Sequence, residues 1–448
     1  MKRSVSSKKC ILLSVACCTL LLANQLSASE QNRGKFGDIK SWQSDEYKAD
    51  WGLVSMNAAV AYALGATGKG VTLGVMDSGV LLSHPEFSDG RVSALKVSGS
   101  YYKDGQRYPD TEYGNSPLVG KGSDKKNKKD FGDFKKGEEF SIDGDWIAGV
   151  NDSHGTHVAG TIAASRDGVG MHGVAFDARL IMGNTGGTDG MTYGPNQDYN
   201  FFLNSYEGLA KSGARAINNS WGSNRKFYKA YEGATRYEGG NNLDIKDLDA
   251  AYKSYYPFVV NGKNFLDAAY EVATRYGVIQ IFTAGNRDGM KESYTRAMLP
   301  YFRPDAEKYW LNVTGQLEGD TQRYNTPGHS KWWSVAAPAK PIYSTVVDLT
   351  TGKADYGTKG GTSMAAPHVT GALGVIMQRY PYMNNAQIRE VLLTTARQIH
   401  DDFKEPADTR KISGFSAALG VPDERWGWGV VDLYKAMFGP GQLLGVFD

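Results

Sequence analysis

Short apolar runs alternate with helical apolar patterns along most of this chain. The apolar runs predict strands at 71–76, 174–182, 278–282, 333–338 and 342–345. Residues 214–222 are interpreted as a strand that leads into a loop. Small or apolar residues at helical spacing predict helices at 54–64, 154–164, 206–213, 265–276, 363–377 and 385–396. This alternation favours an α/β fold of three layers, with a mostly parallel central sheet and helices on both faces.

The first 28 residues have a different pattern. Basic residues up to Lys9 precede an apolar run from Cys10 to Ala23, and small residues follow at 27–29. This order is typical of a signal peptide, so we expect cleavage after residues 1–28 and a secreted or cell-surface protein. A lipid anchor at Cys17 is the alternative, but the apolar run continues beyond that cysteine.

Composition excludes several other classes of protein. All three cysteines fall within the signal peptide, so the mature chain is expected to have no disulfides. The full chain has 50 basic and 48 acidic residues. Removal of the four basic residues of the signal peptide leaves 50 − 4 = 46 basic residues and 48 acidic residues. This balance of charges gives no reason to expect nucleic-acid binding. No later apolar run could cross a bilayer, so we expect no transmembrane segment in the mature chain. We also expect the mature chain to be a monomer.

The mature chain is predicted to form one large domain. Residues 29–50 are polar and predict a flexible leader, residues 51–438 form the domain, and residues 439–448 form a tail. Two segments rich in charged residues, glycine and tyrosine, at about 101–145 and 224–262, are interpreted as insertions.

One serine occupies an unusual position in this pattern. Ser363 follows the glycine pair at 360–361 and begins a run of small and apolar residues, which predicts a buried helix with Ser363 in its first turn. Unpaired N–H groups and the positive end of the helix dipole would favour negative charge there. A serine that only caps the helix is the alternative.

Three other polar residues lie at similar transitions between elements: Asp77, His154 and Asn286. Taken singly, these could be a turn aspartate, a buried structural histidine and a loop cap. Together with Ser363 they supply a nucleophile, a base, a carboxylate that orients the base and an amide donor for an oxyanion. This is the full set that acyl transfer needs.

Three motifs carry a resemblance to a known family. They are Asp77-Ser78-Gly79, His154-Gly155-Thr156-His157-Val158-Ala159-Gly160 and Gly361-Thr362-Ser363-Met364-Ala365-Ala366-Pro367-His368. Their order, Asp then His then Ser, is the subtilisin order. The chain therefore resembles the subtilisin-like serine peptidases (subtilases). Its last part, around 427–441, is similar to the catalytic passenger domains of bacterial autotransporter subtilases.

The resemblance implies a role for each residue that matches a family motif. Ser363 would be the nucleophile, His154 the general base and then acid, Asp77 its orienting carboxylate and Asn286 the oxyanion-hole donor. The backbone of Ser220, Trp221 and Gly222 would pair with an extended substrate. Ala284 and Gly285 would form a wall of the primary specificity pocket.

The implied function is a secreted serine endopeptidase that cleaves protein or peptide substrates through an acyl-enzyme. The resemblance implies no cofactor for catalysis. Subtilases often hold structural calcium, but the sequence does not indicate its ligands, so we assign no metal-binding residue. A catalytically silent binding or adhesion protein on the same fold is the alternative. An esterase is disfavoured because the chain lacks the Gly-x-Ser-x-Gly elbow at Ser363.

Overall fold

The computed structural model describes residues 34–106, 133–185, 198–221, 263–286, 292–399 and 421–439. The predicted signal peptide, the second insertion, Gly222 and most of the predicted C-terminal tail therefore lie outside the described residues.

A seven-stranded sheet forms the centre of the described structure. The strands of the whole described chain are β1 Thr72–Asp77, β2 Val92–Ala94, β3 Lys96–Ser100, β4 Gly105–Gln106, β5 Asp133–Phe134, β6 Glu139–Asp143, β7 Arg179–Asn184, β8 Ala216–Asn219, β9 Ile279–Thr283, β10 Trp310–Leu317, β11 Ser334–Lys340, β12 Ile342–Asp348 and β13 Lys353–Lys359. The central sheet has the order β11-β10-β9-β8-β1-β7-β2, and neighbouring strands in it run parallel. The predicted mostly parallel sheet is therefore confirmed.

Helices cover this sheet. The α-helices of the described chain are α1 Asp45–Ala49, α2 Trp51–Ser55, α3 Ala58–Ala63, α4 His154–Ala163, α5 Tyr199–Lys211, α6 Phe265–Tyr276, α7 Leu299–Phe302, α8 Thr362–Arg379, α9 Asn385–Thr394 and α10 Leu433–Phe438. Short 3-10 turns occur at Ile39–Trp42, Pro85–Phe87, Thr295–Met298, Pro304–Tyr309 and Gly328–Trp333.

Two apolar cores lie on opposite faces of the sheet. Side chains alternate along a strand, so Leu73 and Val75 of β1 enter one core whereas Met76 enters the other. Helices α3, α4, α8 and α9 contribute to the first core, and α5 and α6 contribute to the second. The predicted three-layer α/β fold is confirmed by this arrangement.

The prediction of a flexible leader at 29–50 is wrong from Gly34 onward. Asp38 caps the turn Ile39–Trp42, and Ser44 caps α1. Tyr47 is 2% exposed, and its hydroxyl donates a hydrogen bond to the Leu53 carbonyl at 3.0 Å. The polar sequence of this segment reflects its capping residues, while a few apolar side chains anchor it to the domain.

Strand β10 was not predicted, although it lies inside the central sheet. It carries Asn312, Thr314 and Gln316, which are all buried. Several of their polar groups form hydrogen bonds with other parts of the chain. The Asn312 amide, for example, donates to the Ser293 hydroxyl at 2.7 Å. A buried strand with polar side chains does not show the apolar run that sequence reasoning requires.

Candidate active site

Three neighbouring strands bring the predicted site residues to one edge of the sheet. Asp77 is the last residue of β1, Ser220 directly follows β8, and Ala284, Gly285 and Asn286 directly follow β9. Because β1, β8 and β9 are adjacent and parallel, their carboxyl ends meet at the same edge. Ligand sites of open α/β sheets form at this edge.

Asp77 and His154 form a buried carboxylate–imidazole pair. The distance from His154 Nδ1 to Asp77 Oδ1 is 2.8 Å, and the two side chains are 4% and 0% exposed. Asp77 Oδ1 also accepts a hydrogen bond from the Ser78 N–H at 2.8 Å. A carboxylate only accepts, so the ring proton of neutral His154 is assigned to Nδ1 and the lone pair to Nε2.

A small network sets the position of His154 at the first residue of α4. The Asp152 carboxylate accepts from the His154 N–H and from the Ser78 hydroxyl, both at 2.8 Å. The Ser78 hydroxyl in turn accepts from the Gly155 N–H at 2.9 Å. A Cβ on Gly155 would lie only 2.2 Å from the Gly79 carbonyl oxygen. Glycine at 155 therefore allows the helix to rest directly on the turn that follows Asp77.

Ser363 is the second residue of α8, as the sequence predicts. It is partly exposed, while both neighbouring residues in the chain are buried. Its hydroxyl donates a hydrogen bond to the Ser220 carbonyl at 2.7 Å. This bond runs to Ser220 and not to His154, so the structure brings Ser363 to the sheet edge with its hydroxyl turned towards β8.

Asn286 is exposed and contacts the segment that leads into α8. Its Oδ1 accepts from both the N–H and the hydroxyl of Thr362, each at 2.8 Å. Because a backbone N–H must meet an oxygen, this assigns Nδ2 to the other side of the amide. Sequence reasoning missed the role of Thr362, since no local signal indicates that its hydroxyl meets a residue 76 positions away.

Buried aromatic residues contact the predicted substrate-binding residues. Trp221 is 3% exposed and packs against Phe202 and Phe265, with ring centroids 5.3 and 5.1 Å away. The Ala284 carbonyl accepts from the Tyr294 N–H at 2.9 Å. Gly285 lies against the Tyr294 ring.

Two further observations bear on metals and membranes. Within the described ranges, no group of three or more His, Cys, Asp or Glu side chains has a geometry that could hold a metal ion. Among the helices of those same ranges, none combines the length and the apolar character that crossing a membrane requires.

Comparison with protein families shows to which family the chain belongs. The peptidase S8 model, described as the subtilase family, matches residues 68–429. The chain belongs to the subtilase family. The predicted membership of the subtilisin-like serine protease family is therefore confirmed.

This subtilase is similar to several named proteins. It is 33% identical to an extracellular serine protease of Serratia marcescens, over 96% of this chain and 38% of that protein. It is 27% identical to the Neisserial autotransporter lipoprotein NalP of Neisseria meningitidis serogroup B, over 89% of this chain and 35% of NalP. The subtilase therefore spans less than two fifths of the length of these relatives. The predicted likeness to autotransporter subtilases is confirmed.

A solved structure supports the same fold. Fervidolysin from Fervidobacterium pennivorans, described as a keratinolytic enzyme related to subtilisin, aligns with a TM-score of 0.50. The two sequences are 22% identical, and the alignment covers 90% of this subtilase and 47% of the fervidolysin chain. At this identity the likeness concerns the fold alone.

Proposed function

We propose that this subtilase is a secreted serine endopeptidase that hydrolyses peptide bonds in protein or peptide substrates. The observation that carries the proposal is the buried 2.8 Å contact between Asp77 and His154 at the sheet edge that also holds Ser363. Family membership and the similarity to an extracellular serine protease support it.

In the proposed acylation step, the Ser363 hydroxyl attacks the carbonyl carbon of the scissile peptide bond. His154 Nε2 takes the hydroxyl proton, since its lone pair lies on that nitrogen. Asp77 keeps the proton on Nδ1 and stabilises the imidazolium that forms. His154 then gives its proton to the leaving amine, and Ser363 is left as an ester of the substrate.

The negative charge that develops on the carbonyl oxygen requires donors. The structure assigns Asn286 Nδ2 away from Thr362, which makes this N–H₂ group the proposed side-chain donor. The Ser363 N–H, at the start of α8, is the proposed backbone donor. Donors held in advance stabilise the transition state because they need no reorganisation during reaction.

The hydrogen bond from Ser363 to Ser220 suggests how substrate prepares the nucleophile. An extended peptide that pairs with the backbone after β8 would offer an N–H to the Ser220 carbonyl. That N–H would displace the Ser363 hydroxyl, which could then turn towards His154. Hydrolysis of the ester repeats the chemistry with water as the nucleophile, and none of these steps uses a cofactor.

Secretion is part of the proposal. Residues 1–28 have the pattern of a signal peptide, and the Serratia relative is named as an extracellular protease. Structural calcium stays an expectation from the family, with no ligands assigned.

Labelling by a fluorophosphonate tests the proposed nucleophile, because this probe reacts only with an activated serine. The purified mature chain should be labelled and should cleave a peptide library. Ser363→Ala should lose the label and lower kcat/KM by at least about 10⁴-fold. A folded wild-type chain that is neither labelled nor active would instead favour the silent binding protein. A Ser363→Ala variant that keeps full activity would contradict the assignment.

A further inference from the structure

A second buried carboxylate–imidazole contact lies behind the catalytic helix. Asp50 Oδ2 is 2.9 Å from His368 Nε2, and the side chains are 1% and 0% exposed. His368 belongs to α8, five positions after Ser363. Asp50 precedes residue 68, where the match to the subtilase family begins. The contact therefore joins the N-terminal segment to the helix that carries the nucleophile.

Both nitrogens of the His368 ring are engaged. Nδ1 is 2.7 Å from the Met364 carbonyl oxygen, which can only accept, so Nδ1 carries a proton. A second proton must lie between Nε2 and the Asp50 carboxyl group for that contact to be a hydrogen bond. One nitrogen of the ring thus contacts Asp50, and the other contacts the carbonyl of Met364, the residue next to Ser363.

Asp50 itself is fixed in place. Its Oδ1 accepts from the Gly52 N–H at 2.8 Å, which caps α2. A Cβ on Gly52 would lie 2.3 Å from His368 Nε2, so the start of α2 rests directly on the imidazole. The neighbouring indole of Trp51 donates to the Pro341 carbonyl at 2.7 Å. These contacts make the N-terminal segment a rigid support for the ring.

The start of α8 needs such support. Pro367 lies inside the helix, four residues after Ser363. Proline has no N–H, so the Ser363 carbonyl lacks the helical hydrogen bond that residue i+4 normally donates. The first turn of α8 is therefore held less by its own backbone, and contacts from neighbouring segments determine its position.

We propose that Asp50 is a positioning residue for peptide-bond hydrolysis. Through His368 and the Met364 carbonyl, it fixes the first turn of α8 and with it the reach of Ser363 towards the scissile carbonyl. This inference rests on the proposed role of Ser363 as nucleophile. It also makes residues 44–57 part of the active enzyme, although they precede the segment that defines the family.

The test compares three variants of the mature chain. Asp50→Ala removes the contact, whereas Asp50→Asn keeps the Gly52 cap and can donate its amide N–H to His368 Nε2. Asp432→Ala is the matched control. Asp432 is also a buried cap, at the start of α10, and its carboxylate accepts a hydrogen bond from the Asn57 amide at 3.0 Å. The substitution loosens the same N-terminal region without touching His368.

Asp50→Ala should lower kcat and the rate of fluorophosphonate labelling by about 10- to 100-fold, since small displacements of a nucleophile have effects of this size. Its KM should stay within about twofold, because substrate binding in the ground state is unchanged. Asp50→Asn should remain within about threefold of the wild type in kcat, and Asp432→Ala likewise. Melting temperatures show that each variant is folded at the assay temperature.

Amide hydrogen exchange gives a readout that does not depend on activity. Asp50→Ala should speed exchange in the first half of α8, and Asp432→Ala should not. A folded Asp50→Ala variant with wild-type kcat would overturn the proposal, as would an Asp432→Ala or Asp50→Asn variant that is equally slow. Failure of the proposed function would look different, since Ser363→Ala would then be labelled like the wild type.

Discussion

At the scale of single residues, the amide of Asn286 is oriented by its own acceptor oxygen. Thr362 donates to Oδ1 through two groups, so the amide cannot rotate without losing both hydrogen bonds. Nδ2, the proposed oxyanion donor, is therefore held in one orientation although the side chain is exposed. An exposed asparagine normally samples several rotamers, and this one is restrained by the residue before Ser363, the proposed nucleophile.

We expect Asn286→Ala to lower kcat by about 10²- to 10³-fold, because one oxyanion donor is lost in the transition state only. For the same reason its KM should change by less than about twofold. Steady-state kinetics on one peptide substrate give both values. Asn204→Ala is a suitable control, because that amide donates to the carbonyl of Ser98 in β3, a strand outside the central sheet. A higher KM with unchanged kcat would instead indicate that Asn286 binds the substrate in the ground state.

At the scale of elements, the start of α4 depends on close contact with the turn after β1. His154, which begins the helix, reaches Asp77 because the helix lies against Gly79. The atom nearest to a Cβ at 155 belongs to the backbone, which cannot move aside as the end of a side chain can. Any larger residue at 155 must therefore shift the helix or the turn.

Gly155→Ala should lower kcat by about tenfold or more, since His154 would move relative to Ser363. It should also lower the free energy of unfolding by about 1–3 kcal/mol, the usual cost of overpacking. Gly160→Ala provides the comparison within the same helix. Its Cβ would meet the Thr345 and Ser344 side chains, far from His154 along α4, so stability should fall more than kcat. Equal kcat for Gly155→Ala and the wild type would show that His154 tolerates the shift.

At the scale of the whole molecule, buried titratable groups couple stability to pH. His172 is buried against Tyr62 and Phe176, and burial lowers its pKa from the ordinary value of 6.5 to about 4. Between pH 6.5 and 4, the unfolded chain therefore binds a proton at His172 that the folded chain does not bind. Protonation of His172 therefore has no effect on the free energy of unfolding above pH 6.5, and it lowers that free energy as the pH drops through this window.

The opposite dependence comes from Glu86. Burial raises the pKa of its carboxyl group from 4.5 to about 8, against the effect of a hydrogen bond from Tyr356. The folded chain then retains a proton that the unfolded chain releases, so stability falls as the pH rises from 4.5 towards 8. The two groups partly cancel each other between pH 4.5 and 6.5.

We expect His172→Leu to flatten the acid side of the stability curve. Removal of this one titration should reduce the slope of the unfolding free energy by up to about 1.4 kcal/mol per pH unit between pH 6.5 and 4. Urea unfolding in a Ser363→Ala background, which prevents self-digestion, measures that slope. Glu86→Gln should change the slope in the opposite direction between pH 4.5 and 8. An unchanged slope in His172→Leu would mean that His172 is protonated in the folded chain.

Much of the fold could be predicted from local patterns, and the exceptions share a physical cause. Strands β1 and β9 appear as mainly apolar runs because both their faces are buried under helices. Strand β10 and the folded part of residues 34–50 were missed because polar side chains in both form hydrogen bonds with residues distant in the sequence. The Asn312 amide and the Asp50 carboxylate are examples, and neither partner can be identified from nearby sequence.

The sequence by itself determined the layered α/β architecture, the family and the four residues with candidate chemistry, because each is encoded in contiguous motifs or short periodicities. Only the tertiary structure decided how those residues are held. It joined Asp77 to His154 across 77 positions, Thr362 to Asn286 across 76 and Asp50 to His368 across 318. Contacts between such distant segments depend on how the whole sheet and its helices pack, which no local pattern records.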